Sequence, residues 1–169
     1  QTEGEPCIRY WTAGRQGPRV LLVMGLSMRG EMWKPQIEAL SATHQVAWFD
    51  HRGLGASERG PKRVWSMLDM ADDALSVMDA LGWQTVHLVG VSMGGMVAQE
   101  MAIAHQERCE SLSLLVTHAG GAMRRKMPPL AGIRAFAVAN FKGSERRVEA
   151  LRLLLYPEDY LARVDPELI

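Results

Sequence analysis

Hydrophobic positions along the chain fall into two patterns: short apolar runs and longer segments with helical spacing. The short runs have strand length and little polar alternation, which is typical of strands buried on both faces of a sheet. They occupy residues 20–24, 46–49, 86–89 and 112–116, and a shorter segment at 8–11 predicts an antiparallel edge strand at the start. The pattern thus predicts strands throughout the first two thirds of the chain.

Segments with apolar residues three and four positions apart predict helices between these runs. The clearest stripe stops at Gly82, a residue type that favours a helix end. Its members are Leu68, Ala71, Leu75 and Met78, joined by Ala74, Val77 and Leu81. A second helix is predicted after Gly30, with Pro35 in its first turn, and a third begins at Met93 directly after a strand. Strands alternating with helices predict an α/β fold with a mostly parallel sheet and right-handed crossovers.

The pattern changes at about residue 122. Pro128 and Pro129 interrupt the chain, helical spacing follows within residues 130–155, and no further strand is predicted. We therefore expect a sheet-containing core over residues 1–121 and a separate helical segment over residues 122–169.

Composition and charge exclude several classes of function. The 19 Lys and Arg residues balance 19 Asp and Glu residues, so there is no basic excess for binding nucleic acid. No apolar run approaches the roughly 18 residues that span a bilayer, and the first residues lack the basic start and apolar stretch of a signal peptide. Cys7 and Cys109 stand far apart, without the spacing of a metal site. We expect a cytoplasmic protein with no bound metal, no membrane contact and no nucleic-acid partner.

The motif that carries chemistry is Gly90-Val91-Ser92-Met93-Gly94, which lies between a predicted strand and a predicted helix. This G-x-S-x-G pattern is that of a nucleophile elbow, in which a strained turn lifts the serine hydroxyl clear of the sheet. Gly90 and Gly94 are expected because a Cβ there would collide with the neighbouring chain. The N–H of Met93, at the helix start, would face a developing oxyanion. The alternative is that these residues make only a turn and a helix cap.

Two further segments, residues 24–33 and 50–57, follow the first two long strands. Together with the elbow they resemble the serine alpha/beta-hydrolase superfamily over residues 8–116, especially its enol-lactonase-like and small carboxylesterase members. The resemblance implies an alpha/beta-hydrolase fold whose first six strands lie within residues 1–121. It also implies that residues 122–169 begin a helical cap, or lid, which this family inserts after the sixth strand as the roof of the substrate pocket.

The resemblance assigns a second oxyanion donor. The segment after the first long strand usually begins His-Gly in this family, and its backbone supplies an N–H to the oxyanion hole. Here Met24 replaces the His, while Gly25 is kept. The second donor would then be Leu26 N–H, facing Met93 N–H. Because the backbone carries this chemistry, the loss of the His side chain leaves the donor pair in place.

The segment at residues 50–57 contains glycines that could cradle a phosphate, but such a loop needs a helix opening directly on the glycines. Residues 58–61 intervene before the next helix, so we expect no nucleotide and no other cofactor. The resemblance instead implies that Asp50 and Arg52 pair as a hydrogen-bonded brace for the loop. Trp33 and Trp48 are expected in the core rather than in a ligand platform.

Serine at the elbow distinguishes between reactions of the superfamily. Haloalkane dehalogenases and epoxide hydrolases have Asp at this position, whereas serine implies attack on an acyl carbonyl and an acyl-enzyme intermediate. The resemblance therefore implies that Ser92 cleaves a small-molecule carboxylic ester or lactone. Two alternatives stay open: a cofactor-free haloperoxidase, which shares the serine pattern, and a non-catalytic small-molecule-binding protein on a degenerate hydrolase fold.

A serine nucleophile needs a general base that is oriented by a carboxylate. In this family they follow later strands, in the order Ser, Asp or Glu, His. Among the five His residues, three are expected to be structural and His105 to end a helix; the three are His44, His51 and His87. His118 follows the run at 112–116, on the rim of the site. A base at His118 is geometrically conceivable, but a rim position without a catalytic role is favoured.

The catalytic Asp and His are therefore expected downstream of this chain. A final strand at residues 112–116 would also expose a long apolar edge, which natural proteins avoid. Both points predict that the 169 residues belong to a larger domain, of about 270 residues, and are inactive alone. The expected partner is the missing C-terminal portion or, alternatively, a second copy in a homodimer.

Overall fold

The computed structural model describes residues 1–62, 64–119 and 163. Within them the chain forms a five-stranded sheet; its strands are β1 (Tyr10–Ala13), β2 (Arg19–Val23), β3 (Gln45–Phe49), β4 (Val86–Val91) and β5 (Cys109–Leu115). Three α-helices connect them; they are α1 (Lys34–Leu40), α2 (Met67–Ala80) and α3 (Met93–Ala104). Short 3₁₀ turns at Gly30–Trp33 and Gln106–Arg108 precede α1 and β5.

The chain divides into two compact units, Gln1–Gly120 and Gly121–Ile169. The first unit contains the sheet and all the elements above. The helical cap expected over residues 122–169 lies outside the described residues, apart from position 163. In the described parts of the chain, every helix is too short or too polar to cross a membrane.

The sheet order is β1-β3-β2-β4-β5, with β1 antiparallel to β3 and every other pair parallel. This confirms the α/β fold with a mostly parallel sheet and an antiparallel edge strand. The carboxyl ends of β2, β3, β4 and β5 therefore meet at one edge. In such sheets ligands bind outside this edge, and the candidate site residues Leu26, Ser92 and Met93 lie there, in the loop after β2 and at the turn from β4 into α3.

The described residues form five strands where the resemblance implied six within residues 1–121. The segment before Tyr10 makes a loop, because Gly4 has φ +115° and Pro6 lacks an N–H for a ladder. The loop is closed by Thr2, whose N–H donates to Ile8 O and whose Oγ1 accepts from Ile8 N at 2.9 Å. Ile8 is fully buried beneath β1 instead of belonging to it.

Both faces of the central strands are buried, as the continuous apolar runs predicted. In β2, Leu21 and Val23 pack with the α2 and α3 side of the sheet, while Val20 and Leu22 pack with the α1 side. The expectation for the tryptophans holds in part. Trp33 is buried in the α1-side core, whereas Trp48 is half-buried at its border.

Helix α2 begins at a capping box, in which Ser66 and Asp69 satisfy each other's backbone N–H groups. It ends just before Gly82, which has φ +66°. The buried face differs from the predicted stripe, because Leu68 is 46% exposed while Asp73 is buried. Asp73 is tolerated inside because Arg52 forms an ion pair with it.

Strand β5 is the last strand of the sheet among the described residues, and its apolar side chains are exposed. Exposed fractions are 38% for Leu112, 44% for Leu114 and 41% for Leu115. The prediction that this strand presents an apolar edge is therefore confirmed for the described part of the chain.

Candidate active site

The turn between β4 and α3 places Ser92 in a strained backbone conformation. Its φ of 53° and ψ of −121° lie where non-glycine residues rarely occur, at a cost of about 1–3 kcal/mol. Its side chain makes no capping hydrogen bond to α3, although Ser92 is the N-cap residue, and the residue is exposed. The expected tight elbow is present, and the serine hydroxyl is not used as a helix cap.

The two flanking glycines are sterically required. A Cβ on Gly90 would lie 2.5 Å from the Gly94 carbonyl oxygen, and a Cβ on Gly94 would lie 2.2 Å from Val23 O and 2.5 Å from Met24 O. These are backbone atoms, which cannot move aside as a flexible side chain can. Gly90 and Gly94 therefore allow β4, α3 and the end of β2 to approach each other at the elbow.

The end of β5 and the residues that follow it make hydrogen bonds to the elbow, which the sequence did not predict. Ser92 N–H donates to Leu115 O at 2.9 Å, and Thr117 Oγ1 donates to Ser92 O at 2.6 Å. Between them Val116, a β-branched residue, has φ 47°. A Cβ on Gly95 would lie 2.6 Å from Thr117 Cγ2, so the second glycine of the Gly94-Gly95 pair makes room for this contact.

The loop after β2 reaches the elbow at Gly25. A Cβ on Gly25 would lie 3.4 Å from Ser92 Cβ, which brings the following residue, Leu26, to the side of the serine. Leu26 N–H donates no hydrogen bond to another described residue. Met93 is the first residue of α3, where backbone N–H groups lack intrahelical acceptors. The structure thus brings the loop of Leu26 and the start of α3 to the same side chain.

The predicted pairing of Asp50 with Arg52 is wrong, although both residues brace the loop after β3. Asp50 Oδ1 accepts from Gly30 N at 2.9 Å, and Oδ2 accepts from Ala56 N at 3.3 Å. Arg52 instead binds Asp73 of α2 with two hydrogen bonds of 2.6 and 2.7 Å, which raise the pKa of its guanidinium. The two side chains separate because backbone N–H groups already occupy the Asp50 carboxylate.

His51 is buried, as expected for a structural residue, but it makes a specific contact. Its Nε2 lies 2.7 Å from Met24 O, and its ring meets Phe49 edge-on with centroids 5.4 Å apart. Since a carbonyl oxygen only accepts, Nε2 carries the hydrogen. His51 Nδ1 has no hydrogen-bond partner among the residues that the structure describes. Burial lowers the pKa of His51, which favours the neutral ring.

The remaining four His residues make hydrogen bonds within the described parts of the chain, and His44 Nδ1 lies 2.8 Å from Thr43 Oγ1. His87 Nδ1 lies 2.8 Å from Ser111 Oγ across β4 and β5. His105 follows α3, and its N–H donates to Met101 O. The carbonyl of His118 accepts from Gln99 Nε2 at 3.0 Å, which ties the segment after β5 to α3. No hydrogen bond joins Ser92 Oγ to a His in the ranges that the structure describes.

A metal centre has no candidate ligands in the described ranges. No three side chains among His, Cys, Asp and Glu come close enough together there to hold a metal ion. Cys7 and Cys109 are both free thiols.

Comparison with known proteins agrees with this architecture. A RutD protein of Azorhizobium caulinodans, named for carbamate hydrolysis, is 36% identical over 157 residues, which cover 90% of this chain and 56% of the relative. A solved esterase from Thermogutta terrifontis matches with a TM-score of 0.75 and 31% identity. The match covers 98% of this chain and 61% of the esterase chain. The enol-lactonase of Burkholderia xenovorans matches with a TM-score of 0.74 and 28% identity. The match covers 92% of this chain and 59% of the enol-lactonase chain.

The chain spans about half the length of the curated relatives it matches, 56% in the case of the Azorhizobium protein. The family described as alpha/beta hydrolase fold matches residues 18–152, which include the elbow, both loops beside it and part of the segment after β5. The chain belongs to the alpha/beta hydrolase fold family.

Proposed function

We propose that this chain carries the nucleophile of a serine hydrolase that cleaves small-molecule carboxylic esters or lactones. Ser92 Oγ would attack the substrate carbonyl and form an acyl-enzyme, which water then hydrolyses. The observation that carries the proposal is the strained, exposed Ser92, whose side chain does not cap the helix that it precedes. Strain of this kind persists where surrounding contacts over-determine it, and it concentrates at active sites.

The N–H groups of Leu26 and Met93 would stabilise the oxyanion that forms during attack. The proximity of Gly25 to Ser92 supports Leu26, and the start of α3 supports Met93, because a helix N-terminus carries partial positive charge. Donors preset in this way act on the charge that develops in the transition state. Removal of one such donor costs about 100- to 1,000-fold in kcat in serine enzymes.

We also propose that the activating Asp and His come from sequence beyond Ile169. The match covers 56% of the Azorhizobium relative, and the remainder of that protein leaves room for both groups. The His would take the proton of Ser92 Oγ as the bond to the carbonyl forms, and would return it to the leaving alcohol. Residues 122–169 would begin a cap over the acyl group, in keeping with the family resemblance.

Carbamate hydrolysis is a second candidate, favoured by the 36% identity to the RutD protein that is named for it. A carbamate carbonyl would be attacked by the same Ser92 hydroxyl and would place its oxygen in the same oxyanion site. The two candidates differ in the leaving group and in the acyl substituent.

Fluorophosphonate labelling tests the proposal on the protein expressed from its complete open reading frame. We expect about one label per chain in the wild type and in Ser41→Ala, a control at the end of α1, and none in Ser92→Ala. Intact mass would verify one adduct per chain. Assays with matched ester, lactone and carbamate substrates then separate the two candidates. A folded wild-type protein that takes no label would overturn the proposal in favour of a binding protein.

A further inference from the structure

We propose that His51 is a positioning residue for the segment at residues 24–26, which follows β2 and is called the oxyanion loop. It acts through a hydrogen bond from its Nε2–H to the Met24 carbonyl. This inference rests on the proposed function, because it concerns the placement of Leu26 N–H beside Ser92. His51 itself touches neither the substrate nor the reacting atoms. Its effect passes through the peptide that precedes Gly25.

The contact joins two neighbouring strand ends. Met24 follows β2 and His51 comes two residues after β3, and these strands pair in parallel with Val20 opposite Val46. The side chain of His51 crosses to the adjacent strand, so that Nε2 lies 2.7 Å from a carbonyl 27 residues away in sequence. Both residues are buried, with exposed fractions of 4% for His51 and 6% for Met24, so water does not compete for the bond.

The same carbonyl lies directly against the elbow. A Cβ on Gly94 would come within 2.5 Å of Met24 O, so the oxygen packs on the first turn of α3. One residue further on, a Cβ added to Gly25 would lie 3.4 Å from Ser92 Cβ, so the backbone of Gly25 lies near the serine. A rotation of the Met24–Gly25 peptide would therefore move Leu26 N–H relative to Ser92. The hydrogen bond from His51 Nε2–H restrains that rotation, because it fixes the direction of the Met24 carbonyl.

The surroundings of His51 favour a directional role over simple filling of space. Its Nδ1 is buried without a partner in the described part of the chain, and an apolar side chain of the same size would leave no such unsatisfied group. The ring is kept in place by Phe49 on one side. The next residue, Arg52, anchors the loop to α2 through Asp73 and through the Asp69 carbonyl at 2.7 Å. An imidazole held this firmly in a buried site makes one hydrogen bond, and that bond is to the oxyanion loop.

Two substitutions in the complete protein separate the hydrogen bond from the packing. His51→Gln keeps an N–H donor near the Nε2 position, whereas His51→Met has similar bulk and no donor. We expect kcat for the best ester substrate to fall about 10- to 100-fold in His51→Met, because a misplaced oxyanion donor costs less than a deleted one. The KM should change less than about threefold. His51→Gln should recover most of kcat. Near-ultraviolet circular dichroism establishes that both variants are folded.

Equal losses in the two variants, or a folded His51→Met with unchanged kcat, would overturn the inference. Because His51→Met could fail to fold, ¹⁵N NMR of the wild-type imidazole provides a second measurement. We expect the neutral tautomer with hydrogen on Nε2 and slow exchange of that hydrogen; an Nδ1–H tautomer would also overturn the inference. Failure of the proposed function would be distinguishable from failure of the inference on His51, because in the first case the wild type itself takes no fluorophosphonate label.

Discussion

Thr117 Oγ1 donates a hydrogen bond to the carbonyl oxygen of Ser92 at 2.6 Å. With the bond from Ser92 N–H to Leu115 O at 2.9 Å, both backbone polar groups of the serine are tied to residues on either side of Val116. In this geometry Val116 has a strained backbone, with a φ of 47°. The strained elbow is thus stabilised by a second strained turn, which comes from the adjacent strand.

Thr117→Val should loosen the elbow while preserving its shape. Valine keeps both branches that pack on Gly95 but removes the hydroxyl, at a cost of about 1 kcal/mol in the free energy of unfolding. We expect the rate of fluorophosphonate labelling at Ser92 to fall about 3- to 10-fold, because the nucleophile is held less firmly. Thr12→Val, on the exposed edge strand β1, is the matched control. Identical labelling rates in the two variants would contradict the proposed tie.

Gly94→Ala should destabilise the protein far more than Gly82→Ala. The new Cβ would lie 2.2 Å from Val23 O, so the backbone must shift, at a cost of about 3 kcal/mol or more. Gly82 has φ +66° and open space for a Cβ, so its substitution costs only the backbone strain of about 1–2 kcal/mol. Urea unfolding of both variants measures the difference, and similar midpoints would refute the close approach of α3 to β2.

Asp73→Ala should cost about 3–5 kcal/mol, because it leaves the buried Arg52 guanidinium without its counter-charge. The double variant Arg52→Met with Asp73→Leu should recover much of that loss, since it buries no charge. Lys62→Met, at the exposed ion pair with Asp69, is the control and should change unfolding much less. A double variant no more stable than Asp73→Ala would show that the loop after β3 needs the ion pair itself.

Stability should decline as the pH falls below the ordinary His value of 6.5, because burial lowers the pKa of His51. In that range the unfolded chain binds a proton that the folded chain does not, so protonation favours unfolding. The loss continues until the pH reaches the folded pKa. Asp50 and Arg52, the charged neighbours in sequence, act on the ring in opposite directions.

Unfolding free energies at pH 7.5 and 5.5, for wild type and His51→Gln, isolate this contribution. The wild type should lose more stability between the two pH values than the variant does, since glutamine does not titrate. Equal losses would mean that another group is responsible for the pH dependence.

The α/β order and the elbow followed from local patterns. Apolar runs such as residues 20–24 predicted strands because their length and their lack of polar alternation are local properties. Their burial depends on neighbouring elements, and residues 112–115 lie in a strand with exposed side chains. The elbow was recognisable because Gly90, Ser92 and Gly94 lie within five residues, and their roles depend on one turn. The burial of Asp73 on α2 was not predictable, because it depends on an ion pair with Arg52, 21 residues away in sequence.

The sequence by itself determined which segments become strands and helices and which serine lies at the turn, because those properties arise from residues a few positions apart. Tertiary structure decided which side chains support that serine. The contacts from His51 to Met24, from Thr117 to Ser92 and from Arg52 to Asp73 join residues 27, 25 and 21 positions apart. Such contacts depend on which strand ends become neighbours in the sheet and on which atoms then come within hydrogen-bond distance, and spacing along the chain encodes neither.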